Sequence, residues 1–183
     1  SIDRRTEAAE AAKKGLSQDG DEASCCDTAL LSCEPPRAEL TMLANCATDA
    51  YYRVIAAASG GIPAILRAMN AFPLDEETQA SGCAALASIS MKNSFNQSSA
   101  GREGAAGRVL DAMANFPLSI AVQGAGCDAL DALTSMTPGN VELLMKYERH
   151  DFVKVVEGAL ERFLPPSCRE GGEAALRRAS ALR

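Results

Sequence analysis

The feature that most constrains this chain is that it repeats itself. Residues 60–90 read GGIPAILRAMNAFPLDEETQASGCAALASIS, and residues 104–134, displaced by 44 positions, read GAAGRVLDAMANFPLSIAVQGAGCDALDALT. About a dozen of roughly thirty aligned pairs are identical, several times the chance expectation, and a period in the forties is that of a helical solenoid. The identities fall on expressive residues: Leu66 with Leu110, Met69 with Met113, Phe72-Pro73-Leu74 with Phe116-Pro117-Leu118, Gln79 with Gln123, Gly82-Cys83 with Gly126-Cys127, and Leu86 with Leu130.

Each unit reads as helices. Gly60-Gly61 permits a sharp turn and Pro63 sits where a helix starts without losing a needed N–H. Ile65, Leu66 and Met69 follow at helical spacing as far as Phe72, and Pro73 stops the run. Asp75-Glu76-Glu77 places acid at the positive end of the next helix, on which Gln79, Cys83, Leu86 and Ile89 mark one face. The second unit repeats this with Gln123, Cys127, Leu130 and Leu133, and shorter leading helices are predicted over 51–58 and 95–100.

Composition agrees. Only 4% of residues are aromatic and there is no Trp, which suits close-packed helices better than a β-sandwich. The net charge of −6 lacks the basic excess that phosphate neutralisation needs, so nucleic acid is not an expected partner. The longest apolar stretch, 54–66, is too short and too broken by Ser59-Gly60-Gly61 and Pro63 to span a bilayer. The chain opens on Ser1 rather than Met, as it would after removal of an organellar leader; otherwise the expected compartment is the cytoplasm.

Short helix, Gly-Gly-Ile-Pro, helix, Pro, then a longer Gly-Cys-x-Ala-Leu helix resembles the armadillo repeat, most closely at Gly60-Gly61-Ile62-Pro63 and Cys83-Ala84-Ala85-Leu86. The resemblance implies an all-α, short right-handed armadillo-like superhelix: two clear repeats (49–92 and 93–136) between a cap at 24–48 and a degenerate C-terminal repeat at 137–183. Residues 1–23 are read as an N-terminal arm and linker. It further implies a groove lined by the third helix of each unit, where the family binds extended peptides or partner domains. The best-known peptide grooves of that family carry a Trp after the Cys position and an Asn further along. Here Ala84 and Asp128 stand at the Trp places, Ser88 and Ala132 at the Asn places, and only Asn45 keeps the amide. Recognition of basic import signals is therefore not expected.

The predicted groove residues are Asn45, Ser88, Asp128, Asp131 and Arg178. Asp128 and Asp131, three apart, share a helical face and could accept hydrogen bonds from a basic segment. Arg177-Arg178-Ala179-Ser180 resembles a basophilic kinase site, which makes Ser180 a candidate phosphosite. The seven cysteines contain no CxxC pair, so no metal site is expected and most are read as small buried hydrophobes. Asn96-Gln97-Ser98 fits the glycosylation sequon. Gly101, Gly104 and Gly107 imitate a phosphate cradle, but no strand precedes them, and their register makes them the helix–helix break of the second unit. His150, the single imidazole, lies in a charged stretch read as a loop, where only a Cys–His pair would give it catalytic use.

The expected function is a non-catalytic protein-interaction module without cofactor. The alternative is a structural subunit of a large organellar or membrane-associated complex. An enzyme comes third.

Overall fold

Backbone hydrogen bonding is satisfied by helices: among the described residues there are ten, and no strand. The computed structural model describes residues 34–162 and 166–181, with 166–168 described by their backbone alone. The expected arm and linker at 1–23, the start of the cap with Cys25, Cys26 and Cys33, Pro165, and the side chain of Cys168 lie outside the described residues. In chain order the helices are α1 (Arg37–Cys46), α2 (Ala50–Ala58), α3 (Gly61–Ala71), α4 (Glu76–Ser90), α5 (Ser94–Arg102), α6 (Ala105–Asn115), α7 (Ile120–Thr134), α8 (Pro138–Met145), α9 (Phe152–Arg162) and α10 (Pro166–Ser180).

Helices α2, α3 and α4 have 9, 11 and 15 residues, and α5, α6 and α7 have the same lengths in the same order. The same local chemistry sets both sets of boundaries. Asp49 accepts from the Tyr51 N–H and Asn93 from the Asn96 N–H, each satisfying a donor that the helix start leaves free. Gly60 (φ +80°) and Gly104 (φ +78°) make the left-handed turns into α3 and α6, a conformation that costs other residues a steric penalty. Phe72 and Phe116 end those helices before a proline, and Asp75 and Ser119 then cap α4 and α7 through the Thr78 and Val122 N–H groups.

Inside each triplet the aliphatic residues meet. Ile62, Ile65, Met69, Leu86 and Ile89 are fully buried in one, and Leu110, Met113, Leu130 and Leu133 in the next, each worth about 1.5–3 kcal/mol of transfer free energy. A buried glutamine ties the third helix to the end of the second. Gln79 Nε2 donates to the Met69 and Phe72 carbonyls at 2.8 and 2.9 Å, and Gln123 Nε2 to those of Met113 and Phe116 at 2.7 and 2.9 Å. Gln79→Leu and Gln123→Leu each leave those buried carbonyls short of a donor. Each is expected to lower stability by about 1–3 kcal/mol, by similar amounts, in urea denaturation.

Polar side chains also join one triplet to the next. Arg53 in α2 donates to the carbonyls of Ala47, Thr48 and Met91 at 2.9, 2.7 and 2.6 Å. Gln97, in the same place on α5, donates to the Ser90 carbonyl and the Ser135 hydroxyl and accepts from the Met136 N–H and the Thr137 hydroxyl. Asn96 Nδ2 reaches the Arg53 and Ile89 carbonyls at 3.2 and 2.8 Å; Asn140 Nδ2, on α8, reaches those of Gln97 and Leu133 at 2.9 and 2.8 Å. Asn96 is only 1% exposed, so the sequon is closed to glycosylation in the folded protein.

Helix α1 and the three 15-residue helices α4, α7 and α10 pack on one another in series. Cys83 and Cys127 are wholly buried on α4 and α7, as expected of small hydrophobes, whereas Cys46 at the end of α1 is exposed. Burial pushes the Cys83 thiol up to about 12, helped by the nearby Cys127. No single described helix is long and apolar enough to cross a membrane; α2 and α3 reach that length only together and are bent by 70° at their junction.

Candidate functional site

Where α4 and α7 lie side by side they leave an open groove of about 720 Å³. Its floor is made of small side chains, Ala84, Ala87 and Ser88 from α4 with Ala121, Gly124, Ala125 and Ala132 from α7. Residues without bulk on both helices are what keep the space open. Met91 and Lys92, just past α4, and Ile120, at the start of α7, supply larger side chains, and Asp128 and Asp131 supply the carboxylates.

Three of the five sequence-predicted residues, Ser88, Asp128 and Asp131, thus share one groove. Asn45 is elsewhere: it is exposed on α1, and its backbone carbonyl accepts from the Thr48 hydroxyl at 2.9 Å. Arg178 on α10 reaches back to α7, where Nη1 lies 2.7 Å from Asp131 Oδ1 and 3.1 Å from Thr134 Oγ1. Asp131 therefore already holds a guanidinium of its own chain. Ser180 is exposed at the end of α10 with its hydroxyl on the Arg177 carbonyl at 2.9 Å, and Arg177 pairs with Glu173 at 3.5 Å.

Asp128 differs from Asp131 in having no ion pair or hydrogen bond among the described residues. It opens toward solvent, while α10 passes close behind: a Cβ added to Gly171 would come within 3.2 Å of its Oδ1. Partial burial, and secondly the charge on Asp131, raise the Asp128 carboxyl above its ordinary value. With the folded pKa above the unfolded one, ionisation opposes folding, and this part of the stability is lost as pH rises through the carboxylate range. Asp128→Asn is accordingly expected to stabilise the protein at pH 7 by about 0.5 kcal/mol, a small figure because solvent screens the charge. The gain should vanish near pH 3, as thermal melts at the two pH values will show.

A second cluster was not foreseen. Asp111 on α6, its side chain 9% exposed, collects groups from the turn after α8. The Tyr147 hydroxyl donates to Oδ1 at 2.9 Å, His150 Nε2 is 3.3 Å from the same oxygen, and Arg149 and Arg108 approach Oδ2 at 3.0 and 3.4 Å. The Tyr147 ring lies so close to α6 that a Cβ on Gly107 would meet it at 2.5 Å. Burial, then the bond to Asp111, raise the Tyr147 hydroxyl, so it stays a proton donor. His150 is a loop residue as expected, and the structure gives it a carboxylate neighbour. Among the described residues no three His, Cys, Asp or Glu side chains converge to hold a metal ion.

No family model, curated protein or solved structure matches this chain.

Proposed function

We propose that the chain is an armadillo-like helical superhelix acting as a non-catalytic protein-interaction module, with the groove between α4 and α7 as its binding face. The observation that carries this reading is the groove itself, which gathers Ser88, Asp128 and Asp131 on paired 15-residue helices. Buried asparagine and glutamine bridges hold those helices in register, so a partner meets a preformed surface and little conformational entropy is lost on binding. Nothing in the reading requires chemistry. The buried Cys83 thiol is a poor nucleophile at an elevated pKa, and His150 is engaged with Asp111. Placing the photo-crosslinking amino acid benzoylphenylalanine at Ser88, and separately at Asn45, tests it. Covalent capture of the same protein partner from Ser88 but not from Asn45 is expected, and labelling that is equal at both positions counts against the groove.

A structural subunit of a larger complex is the second reading, and a separate observation favours it. Helix α2 exposes Tyr51 (68%), Val54 (54%) and Ile55 (43%) beside Tyr52, an apolar face unusual for a free surface. Native mass spectrometry of material from the source organism separates the two readings: a stoichiometric assembly that survives high salt supports the subunit, and an exchanging complex supports the adaptor.

A further inference from the structure

The chemistry of the occupant can be read from how the chain treats its own arginine. Arg178 shows that the α7 face accepts a guanidinium at Asp131, with the Thr134 hydroxyl as a second acceptor. One helical turn earlier Asp128 offers a second carboxylate on the same face, inside the groove, with no cation upon it among the described residues. At the matching places α4 has only Ala84 and Ala87, so no charge directly faces it across the groove. Ile120, 55% exposed, stands on the same helix eight residues before Asp128, which is about 12 Å along the axis, with only Ala121, Gly124 and Ala125 between. An extended chain covers that span in about four residues.

We infer that the groove receives an extended segment of a partner protein carrying an arginine for Asp128 and, about four residues away, an aliphatic side chain for Ile120. This rests on the groove being the binding face. The small floor between the two anchors leaves room for backbone and short side chains rather than for a second large group. Lys92 also lines the groove and pairs with none of the described carboxylates. Its charge repels a run of basic residues, so the fit is one arginine flanked by neutral or acidic positions. A charge-assisted guanidinium–carboxylate bond supplies orientation, and the apolar anchor supplies buried area.

The test is selection of a displayed library of random dodecapeptides against the full chain. Enriched peptides are expected to hold one Arg and one Leu, Ile, Val or Met at a spacing near four. Their affinity is expected to fall at least tenfold on Asp128→Asn, on Ile120→Ser, and on exchange of the peptide arginine for citrulline. Thermal melts should show that Asp128→Asn is folded, so the loss is not one of structure. Enriched peptides that lack a basic residue, ignore Asp128→Asn, yet are blocked by Ser88→Tyr would overturn the arginine inference and keep the groove. Peptides indifferent to Asp128→Asn, Ile120→Ser and Ser88→Tyr alike, or no enrichment at all, would overturn both.

Discussion

Gly101→Ala is expected to lower stability by about 3 kcal/mol or more, although it adds a single methyl group to a helix. On helix propensity alone the change should stabilise by up to about 1 kcal/mol. The opposite sign follows from what lies over Gly101. A Cβ there would sit 1.9 Å from Asn140 Oδ1 and 2.7 Å from its Cγ, at the crossing of α5 and α8. Asn140 cannot retreat cheaply, because it is 3% exposed and its Nδ2 serves the Gln97 and Leu133 carbonyls. The added methyl either pushes the helices apart or expels the amide and leaves two buried acceptors unserved. Thermal denaturation should show a fall of roughly 6–12 °C for a domain of this size. Gly139→Ala, where a Cβ meets nothing within 4 Å, is the control and should stay within about 0.5 kcal/mol. In the double variant Gly101→Ala with Asn140→Ala the losses should be well short of additive, since the clash and the amide go together. Strict additivity would show that the crossing does not depend on this contact.

Asp111→Ala is expected to cost about 3 kcal/mol, because it removes the one buried carboxylate on which Tyr147, Arg149, Arg108 and His150 converge. The loss should be local as well as global. The turn at 146–151 is held to α6 largely through this carboxylate, so limited proteolysis there should accelerate more than elsewhere. Arg149→Ala is the informative comparison. That side chain is 68% exposed, so solvent screens its charge and its removal should cost far less than loss of the carboxylate. Equal effects of the two substitutions would mean that the cluster is an ordinary surface ion pair and not a buried anchor.

How much of this could be read from the sequence depends on where each partner lies in the chain. The helix pattern was legible because its causes are local. Gly60 and Gly104, Phe72-Pro73 and Phe116-Pro117, and the acid at Asp75-Glu76 all act within a few residues of the boundary they set. Gln79 and Gln123 were visible as matched positions, and their partners lie only 7 and 10 residues away. The asparagines were sought on the third helices, at Asn45 and its counterparts, whereas those that bind the triplets together are Asn96 and Asn140 on the first. Their second acceptors lie 43 residues upstream, and one of them was hidden inside a sequon. The Asp111 cluster was out of reach for the same reason. Arg67 occupies its position in the first unit, so self-comparison gave no signal, and Tyr147, Arg149 and His150 come from 36 to 39 residues away. In the groove, Asp128 and Asp131 share one face, as their spacing of three implies, and Arg178, which the sequence offered as a partner contact, bonds Asp131 from a helix 47 residues further on, a contact the spacing could not show.

The joints along the stack are not all of one kind. Between the triplets they are the amides of Asn96 and Gln97 on backbone carbonyls, mostly buried. At the flanks, ion pairs are added to such carbonyl bonds: Arg37 of α1 with Asp75 and Glu77, and Arg178 of α10 with Asp131. Ionic strength weakens the second kind and hardly touches the first. An electrolyte would therefore weaken the contacts of Arg37 and Arg178 before those of the buried amides, and the helices that frame the groove would stay joined as it did so.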